Sequence, residues 1–357
     1  LGVRGWFALP AAAVQTAAVW LLSGDDVPPP LDRAAFAALF NPQFAPGSAL
    51  LWAGLTLGLT YLAYSVVTVG HQTWGALLGG DAHGRSAVVA WREGLGLLGV
   101  VLASTAAALW GAPSLGWIMA PLLLMAIFAL RGAPRPDARV NTRPPSHALA
   151  TLRDPWRNGS FVRLVLVFSL NGIASAIPAT LVLFFIDDRL QVPAHWQGIF
   201  LGMYFLSAAL SMPLWVRVVA RIGMARAWLV GMVLSIVAFM GASFVSSGDL
   251  LLYGAVCVAS GLALGSDLAI PAALLAQIAQ RRVDTEGAVA GGQGVYFGWW
   301  NLITKLNLAL AAGLTLPLLA LLGYTPGSRD AGALQSLSAV YCLLPCALKA
   351  LAAGAVY

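Results

Sequence analysis

Charged residues are scarce in this chain of 357 residues. Asp, Glu, Lys and Arg together make up 10% of the sequence, whereas hydrophobic residues make up 59%. Soluble domains usually carry about a quarter charged residues, so the composition excludes an ordinary soluble protein and indicates many membrane crossings. The net charge of +6 does not indicate nucleic acid as a partner, because the basic residues are spread over loops between apolar segments.

Cysteines are few, and the common catalytic motifs are missing. Cys257, Cys342 and Cys346 fall inside apolar segments without metal-type spacing beyond a helical i, i+4 pair. We interpret them as packing residues, and we expect no metal site and no cofactor. The sequence contains no nucleophile elbow, phosphate loop, HExxH or CxxC motif, so we expect that the protein is not an enzyme.

Ten segments are long and apolar enough to cross a bilayer as helices, which requires about 20 residues each. Strand-like alternation is absent, so we predict an all-α polytopic membrane helix bundle. A basic loop at 132–158 divides four spans from six, which predicts an N-terminal half at 1–131, a cytoplasmic linker, and a C-terminal half at 159–357. The predicted spans are roughly 3–23, 48–78, 87–111, 114–131, 159–187, 196–219, 227–246, 250–280, 291–323 and 334–357.

Basic residues are distributed unevenly between the two sides of these spans. If Arg4 marks a cytoplasmic end, sixteen basic residues fall on that side, three fall on the other, and Lys305 lies within the membrane. This bias predicts a multi-pass protein of the cell inner membrane with cytoplasmic basic loops. The sixteen are Arg4, Arg85, Arg92, Arg131, Arg135, Arg139, Arg143, Arg153, Arg157, Arg163, Arg217, Arg221, Arg226, Arg281, Arg282 and Lys349.

Asp267 and Lys305 fall near the middle of two long apolar spans. At about 1.5 Å per residue, both lie roughly 21 Å from the same membrane face. Ionisable residues inside a membrane face the protein interior or a wet cavity, usually with a partner. We therefore predict that Asp267 and Lys305 pair and act at a coupling-ion site. Pro271 deprives the Asp267 carbonyl of its helical donor, so a cation site and a simple kink are both open interpretations.

A polar stripe runs along the second predicted span. Its residues recur at i, i+3, i+4 and i+7, so they share one helix face, which predicts either the lining of a cavity or a polar helix contact. His71 is a candidate proton carrier or a structural histidine. The stripe consists of Tyr61, Tyr64, Ser65, Thr68, His71 and Gln72.

Further polar residues stand in or beside other apolar spans. Arg85, Arg92 and Glu93 suit either a gating ion pair or, for the planar fork of Arg92, a sugar hydroxyl pair or a carboxylate. Asn171 precedes Pro178 in a span that we expect to be kinked. Asn301 and Lys305 share a face with two glycines, within about 60° of one another, which favours close contact with another helix.

Three segments resemble the glycoside-pentoside-hexuronide:cation symporters, the melibiose permease family of the major facilitator superfamily. The first runs from Trp74-Gly-Ala-Leu through Asp81 and Arg85 to Trp91-Arg92-Glu93. The second is Asn171 to Asp187. The third is Gly291 to Tyr324, which places Lys305 on the lysine of the family's eleventh helix and ends in Leu322-Gly-Tyr-Thr-Pro326. The resemblance spans nearly the whole chain.

The resemblance implies twelve helices, alternating access, a sugar-type solute and a coupling cation, H⁺ or Na⁺. It also implies that Trp74 and Arg92 face the sugar and that Lys305 lies between the sugar and cation sites. Two helices are then expected before Leu1. Gly70, Gln277 and Gln280 stand where the family has acidic residues, and these departures weigh against sodium coupling.

These observations predict a secondary transporter, a monomer in the lipid bilayer, that moves a sugar- or glycoside-like small solute. The alternative is a lipid-handling or ligand-sensing membrane protein on the same fold without ion coupling. The predicted substrate-binding residues are Tyr64, Thr68, His71, Gln72, Trp74, Arg92, Asn171, Asn301 and Lys305. Asp267 and Lys305 are the predicted coupling residues, and Arg85 and Glu93 are the predicted gating residues.

Overall fold

The computed structural model describes residues 49–78, 82–110, 114–132, 148–286 and 292–356. Every regular element in these ranges is helical, and the predicted span at 3–23 lies outside them. Two segments are π-helical. Phe185–Leu190 follows α5, and Ala339–Leu343 joins α10 to α11. The helices are α1 Ala49–Leu78, α2 Ala82–Trp110, α3 Ser114–Arg131, α4 Ala148–Arg157, α5 Gly159–Phe184, α6 His195–Ile222, α7 Met224–Ala242, α8 Leu250–Glu286, α9 Gly292–Leu321, α10 Ala331–Ser338 and α11 Leu344–Ala355.

Seven helical segments in the described residues are long and apolar enough to cross a membrane. They confirm seven of the ten predicted spans, with ends that differ by a few residues. Helices α1 and α3 coincide with two further predicted spans. The seven segments are Ser86–Ala106, Gly159–Leu190, His195–Ile222, Met224–Ala242, Leu250–Arg282, Gln293–Leu321 and Ala331–Ala355.

The described residues form two compact units. One contains 49–72, 102–110 and 114–132, and the other contains 73–78, 82–101, 148–286 and 292–356. The division into halves at 1–131 and 159–357 stays a prediction. The second unit contains an apolar core that includes Leu181, Phe185 and Tyr253. That unit also holds the candidate site.

Glycines let α8 approach its two neighbours closely. A Cβ atom at Gly261 would collide with the carbonyl oxygen of Tyr204 on α6, and one at Gly265 would collide with the Ser211 side chain of the same helix. On the α7 side, Ser266 of α8 occupies the space that a side chain at Gly231 would need. Small residues allow such backbone contacts between membrane helices. Asp267 follows directly, so this packing holds it between neighbouring helices.

The Leu322-Gly-Tyr-Thr-Pro326 turn after α9 is anchored by a buried carboxylate. Asp188, 5% exposed, accepts hydrogen bonds from the Tyr324 hydroxyl and from the Gly327 backbone N–H, the latter at 3.0 Å. Gly323 and Gly327 adopt positive φ angles of 81° and 84°, which glycine tolerates at no steric cost. The motif therefore ties the end of α9 to the π-helical segment after α5.

The second part of the predicted linker at 132–158 is helical, because residues 148–157 form α4. Trp156 contacts Trp299 of α9 edge to face, with 5.2 Å between ring centroids. The Trp299 indole N–H donates to the Leu152 carbonyl oxygen at 2.9 Å. Arg282 of α8 pairs with Asp154 at 2.9 Å. These contacts hold α4 against the ends of two membrane-spanning helices.

Candidate functional site

A buried ion pair lies among the helices of the second unit. The Lys349 ammonium on α11 contacts Asp267 Oδ2 on α8 at 2.7 Å. Lys349 is 1% exposed, and the Asp267 side chain is 9% exposed. Removing a charge from water costs several kcal/mol even after relaxation, so both side chains require polar partners within the bundle.

Three further residues complete those partners. Asn171 Oδ1 accepts a hydrogen bond from the Lys349 ammonium at 2.8 Å. The Trp228 indole N–H donates to Asp267 Oδ1 at 3.1 Å, and the Ser175 hydroxyl donates to Asp267 Oδ2 at 3.3 Å. Together with Asp267 and Lys349, these residues come from α5, α7, α8 and α11, so a change in the charge of the pair acts on four helices at once.

The predicted partner of Asp267 was wrong. Asp267 was expected to pair with Lys305 because the two residues lie at similar depth along their helices, but Lys349 holds the carboxylate. Depth along a helix does not specify which face a residue occupies or which helices are neighbours. Lys305 lies on α9 and is half-buried.

Counting Lys349 among the cytoplasmic basic residues was also wrong. Arg163, near the start of α5, donates to the Ala355 carbonyl oxygen at 3.2 Å, so the end of α11 lies at the level of the first turn of α5. Lys349 is six residues, or roughly 9 Å, further into the bundle. Lys349 therefore lies inside the bundle and not at the membrane surface.

The π-helical segment Ala339–Leu343 explains why helical periodicity did not place Lys349. Such a segment inserts extra backbone into a helix and rotates every later residue relative to the α-helical pattern. Leu344 and Pro345 begin α11 immediately afterwards. The face that carries Lys349 thus depends on a local distortion that the hydrophobic pattern does not specify.

The polar stripe on α1 keeps its helical spacing, and its side chains differ in exposure. Tyr61 and Tyr64 are exposed, as is His71, whereas Thr68 and Gln72 are half-buried. The Ser65 hydroxyl donates to the Tyr61 carbonyl oxygen within the same helix. The cavity-lining role of the stripe stays a prediction, and so does the sugar-facing role of Trp74, which is half-buried.

Arg92 and Glu93 on α2 form an ion pair with each other. Arg92 Nη2 lies 2.6 Å from Glu93 Oε1, and both side chains are partly buried, with 16% and 27% exposure. Their backbone positions diverge by about 100°, but the long arginine side chain reaches its neighbour. Arg85 lies in the same helix, and its side chain is outside the described residues.

Helix α9 packs its polar face closely on α5. Asn307, 5% exposed, occupies the space that a Cβ atom at Gly172 would need. Asn301 lies on the same helix and is half-buried. Sequence analysis missed Asn307 as well as Trp228 and Ser175. All three residues carry a polar group within a membrane span. Serine and tryptophan are too frequent in such spans for this signal to identify a site.

The comparisons with known proteins agree with this architecture. Residues 20–357 match the family described as MFS/sugar transport protein. No curated protein matches the chain. The bacterial homologue of the iron transporter ferroportin in its outward-facing state is 14% identical, with a TM-score of 0.63 over 98% of this chain and 82% of that chain.

Two other solved structures share the fold. The human organic anion transporter MFSD10 (TETRAN) is 19% identical, with a TM-score of 0.60 over 96% of this chain and 76% of that chain. A variant of the E. coli fucose:proton symporter FucP is 11% identical, with a TM-score of 0.56 over 97% of this chain and 87% of that chain. Family and fold indicate a transporter rather than an enzyme. The chain is a multi-pass membrane protein that belongs to the MFS/sugar transport protein family of the major facilitator superfamily.

Proposed function

We propose that this protein is a secondary active transporter that moves a sugar- or glycoside-like solute across the cell inner membrane by alternating access, coupled to protons. The family description supports the solute class. The resemblance to the melibiose permease family supports the same solute class. The solved relatives of low identity support the fold alone.

The observation that carries the proposal is the Asp267–Lys349 ion pair at 2.7 Å inside two membrane-spanning helices. A proton on Asp267 neutralises the carboxylate and leaves the Lys349 ammonium without its counter-ion. Because the pair joins four helices, protonation favours a different arrangement of those helices. A ligand shifts such an equilibrium only through its different affinity for the two states, so the proposal requires Asp267 to bind the proton with different affinity in the two arrangements.

The Asn171 amide oxygen already accepts a hydrogen bond from Lys349. We therefore assign Asn171 to the coupling cluster instead of the substrate site. For the solute we retain residues that offer hydroxyl, amide, guanidinium, ammonium or aromatic groups, which suit a polyol. They are Tyr64, Thr68, His71, Gln72, Trp74, Arg92, Asn301 and Lys305. Arg85 and Glu93 are retained as gating residues.

Proton-coupled uptake can be tested with the full chain in proteoliposomes that enclose a pH-sensitive dye. A panel of glycosides is added outside in sodium-free buffer. We expect at least one glycoside to acidify the lumen, because the solute and the proton enter together. Addition of sodium chloride is expected to leave this rate unchanged.

The same preparation distinguishes the alternative function. A lipid-handling protein on this fold would move fluorescent phospholipid between leaflets, and no glycoside would change the internal pH. Empty liposomes are the negative control. The control for loss of a carboxylate outside the ion pair is Asp249→Asn, in the turn before α8. Lipid movement without solute-dependent acidification would contradict the proposed function.

A further inference from the structure

The oxygens around Lys349 resemble the ligands of a monovalent cation. A carboxylate oxygen of Asp267 and the amide oxygen of Asn171 lie 2.7 and 2.8 Å from the ammonium. The Ser175 hydroxyl lies 3.3 Å from the same carboxylate oxygen. Carboxylate, amide and hydroxyl oxygens are the groups that bind hard cations in proteins.

The backbone near Asp267 and the Trp228 contact also favour the binding of a monovalent cation. Pro271 lies inside α8 four residues after Asp267, so the Asp267 carbonyl lacks the amide donor that another residue at this position would provide. Backbone carbonyl oxygens freed from helical hydrogen bonds are among the groups that coordinate sodium ions in transporters. The Trp228 indole N–H holds Asp267 Oδ1 at 3.1 Å, while Oδ2 contacts the ammonium.

We propose that Asp267, Asn171 and Ser175 form a monovalent-cation site that the Lys349 ammonium occupies as a tethered cation. The lysine supplies the single positive charge that a sodium ion would bring, and it cannot dissociate into solvent. The wild-type protein therefore needs no sodium at this site, and removal of the ammonium opens the site to sodium. This inference concerns ion binding and does not rest on the proposed solute or on proton coupling.

The electrostatics predict which variant gains the new property. Lys349→Ala leaves the buried Asp267 carboxylate without a counter-ion, which is strongly unfavourable. A sodium ion restores both the charge balance and the oxygen coordination. Asp267→Asn in the same chain removes the negative charge, so Lys349→Ala/Asp267→Asn has no reason to bind sodium.

The test measures the unfolding midpoint of the purified full chain in sodium chloride and in choline chloride at equal ionic strength. A ligand that binds only the folded state raises this midpoint. We expect Lys349→Ala to gain about 2 °C or more in sodium. Wild type, Lys349→Ala/Asp267→Asn and the matched variant Lys305→Ala are expected to give equal midpoints in both salts.

Equal midpoints for folded Lys349→Ala in the two salts would overturn the proposal, as would sodium stabilisation of wild type or of the double variant. If Lys349→Ala folds poorly in choline, sodium is expected to recover it. Lys349→Ser is the second variant, and failure of both to fold even in sodium would also overturn the proposal. Because the readout is stability, a negative result here leaves proton-coupled uptake to be judged by its own assay.

Discussion

Asp267 and Lys349 differ in how much of their role the sequence could predict. A carboxylate in the middle of an apolar span is costly, so hydropathy alone identified Asp267. Lys349 was not identified, because its face is set by the π-helical segment Ala339–Leu343 and its depth is set by the packing of α11 on α5. The cost of a buried charge is a local property, whereas the identity of its partner depends on tertiary structure.

Energetic coupling between Asp267 and Lys349 can be measured with a double-mutant cycle. Asp267→Asn and Lys349→Met each leave one buried group without its partner, which we expect to cost about 3–5 kcal/mol of unfolding free energy. The double variant is expected to lose much less than the sum of the two. The control cycle, Asp267→Asn with Lys305→Met, is expected to be additive to within about 0.5 kcal/mol. Additivity in the first cycle would contradict the ion pair.

Tyr324 is expected to stabilise the turn after α9 through its hydroxyl. Tyr324→Phe leaves Asp188 with the Gly327 N–H and should cost about 1–3 kcal/mol of unfolding free energy. Tyr61→Phe, on an exposed side chain, should change stability by less than about 0.5 kcal/mol. Thermal unfolding of both variants provides the comparison. Equal stability of the two variants would show that the hydroxyl contributes nothing.

The same hydroxyl predicts a pH dependence. Burial, and then the hydrogen bond to Asp188, raise the pKa of Tyr324 above its ordinary value of 10.0. A raised folded-state pKa means that the contribution of this group to stability is fully present below pH 10 and is lost as the pH rises through the folded-state pKa. Unfolding midpoints measured on the alkaline side should therefore fall more for wild type than for Tyr324→Phe.

At the scale of whole helices, hydropathy predicted most of the membrane-spanning segments closely. The predicted span 250–280 corresponds to Leu250–Arg282, and 291–323 corresponds to Gln293–Leu321. Backbone groups in lipid must bond within their own helix, so apolar length alone specifies these elements. Helix α4 was missed because it is ten residues long and contains Pro155. Its stability comes from docking, which a local pattern does not contain.

Limited proteolysis can test the docking of α4 on α9. Trp299→Phe keeps an aromatic ring beside Trp156 but removes the indole N–H that bonds the Leu152 carbonyl oxygen. We expect trypsin to cleave after Arg153 and Arg157 several times faster in this variant, because local opening exposes the segment. Trp117→Phe, on an exposed side chain of α3, is the matched control. Equal cleavage rates would show that this hydrogen bond does not hold α4.

At the scale of the whole molecule, composition was sufficient to predict the class of protein and much of its architecture. The scarcity of charge predicted a polytopic bundle, and the motifs predicted the major facilitator superfamily, which the family match confirms. The orientation in the membrane stays a prediction, since it rests on the distribution of arginines in the loops. Removing Lys349 from the cytoplasmic set leaves fifteen basic residues against three, so the expected orientation is unchanged.

The topology can be tested with accessible tags inserted at Gly132 and Gly327. Five of the seven membrane-spanning segments lie between these positions. An odd number of crossings places the two tags on opposite sides, with Gly132 expected in the cytoplasm. Labelling of intact cells with an impermeant reagent should reach only the tag at Gly327. Labelling of both tags, or of the tag at Gly132 alone, would contradict the predicted arrangement.

The central claim is that the buried Asp267–Lys349 pair couples solute movement to protons. The most direct test compares two activities of Asp267→Asn in proteoliposomes, with a glycoside that wild type transports. Exchange of labelled for unlabelled solute needs no net proton movement, whereas uptake against a gradient does. We predict that Asp267→Asn retains exchange and loses solute-dependent acidification of the lumen. Acidification at the wild-type rate in this variant would contradict the account.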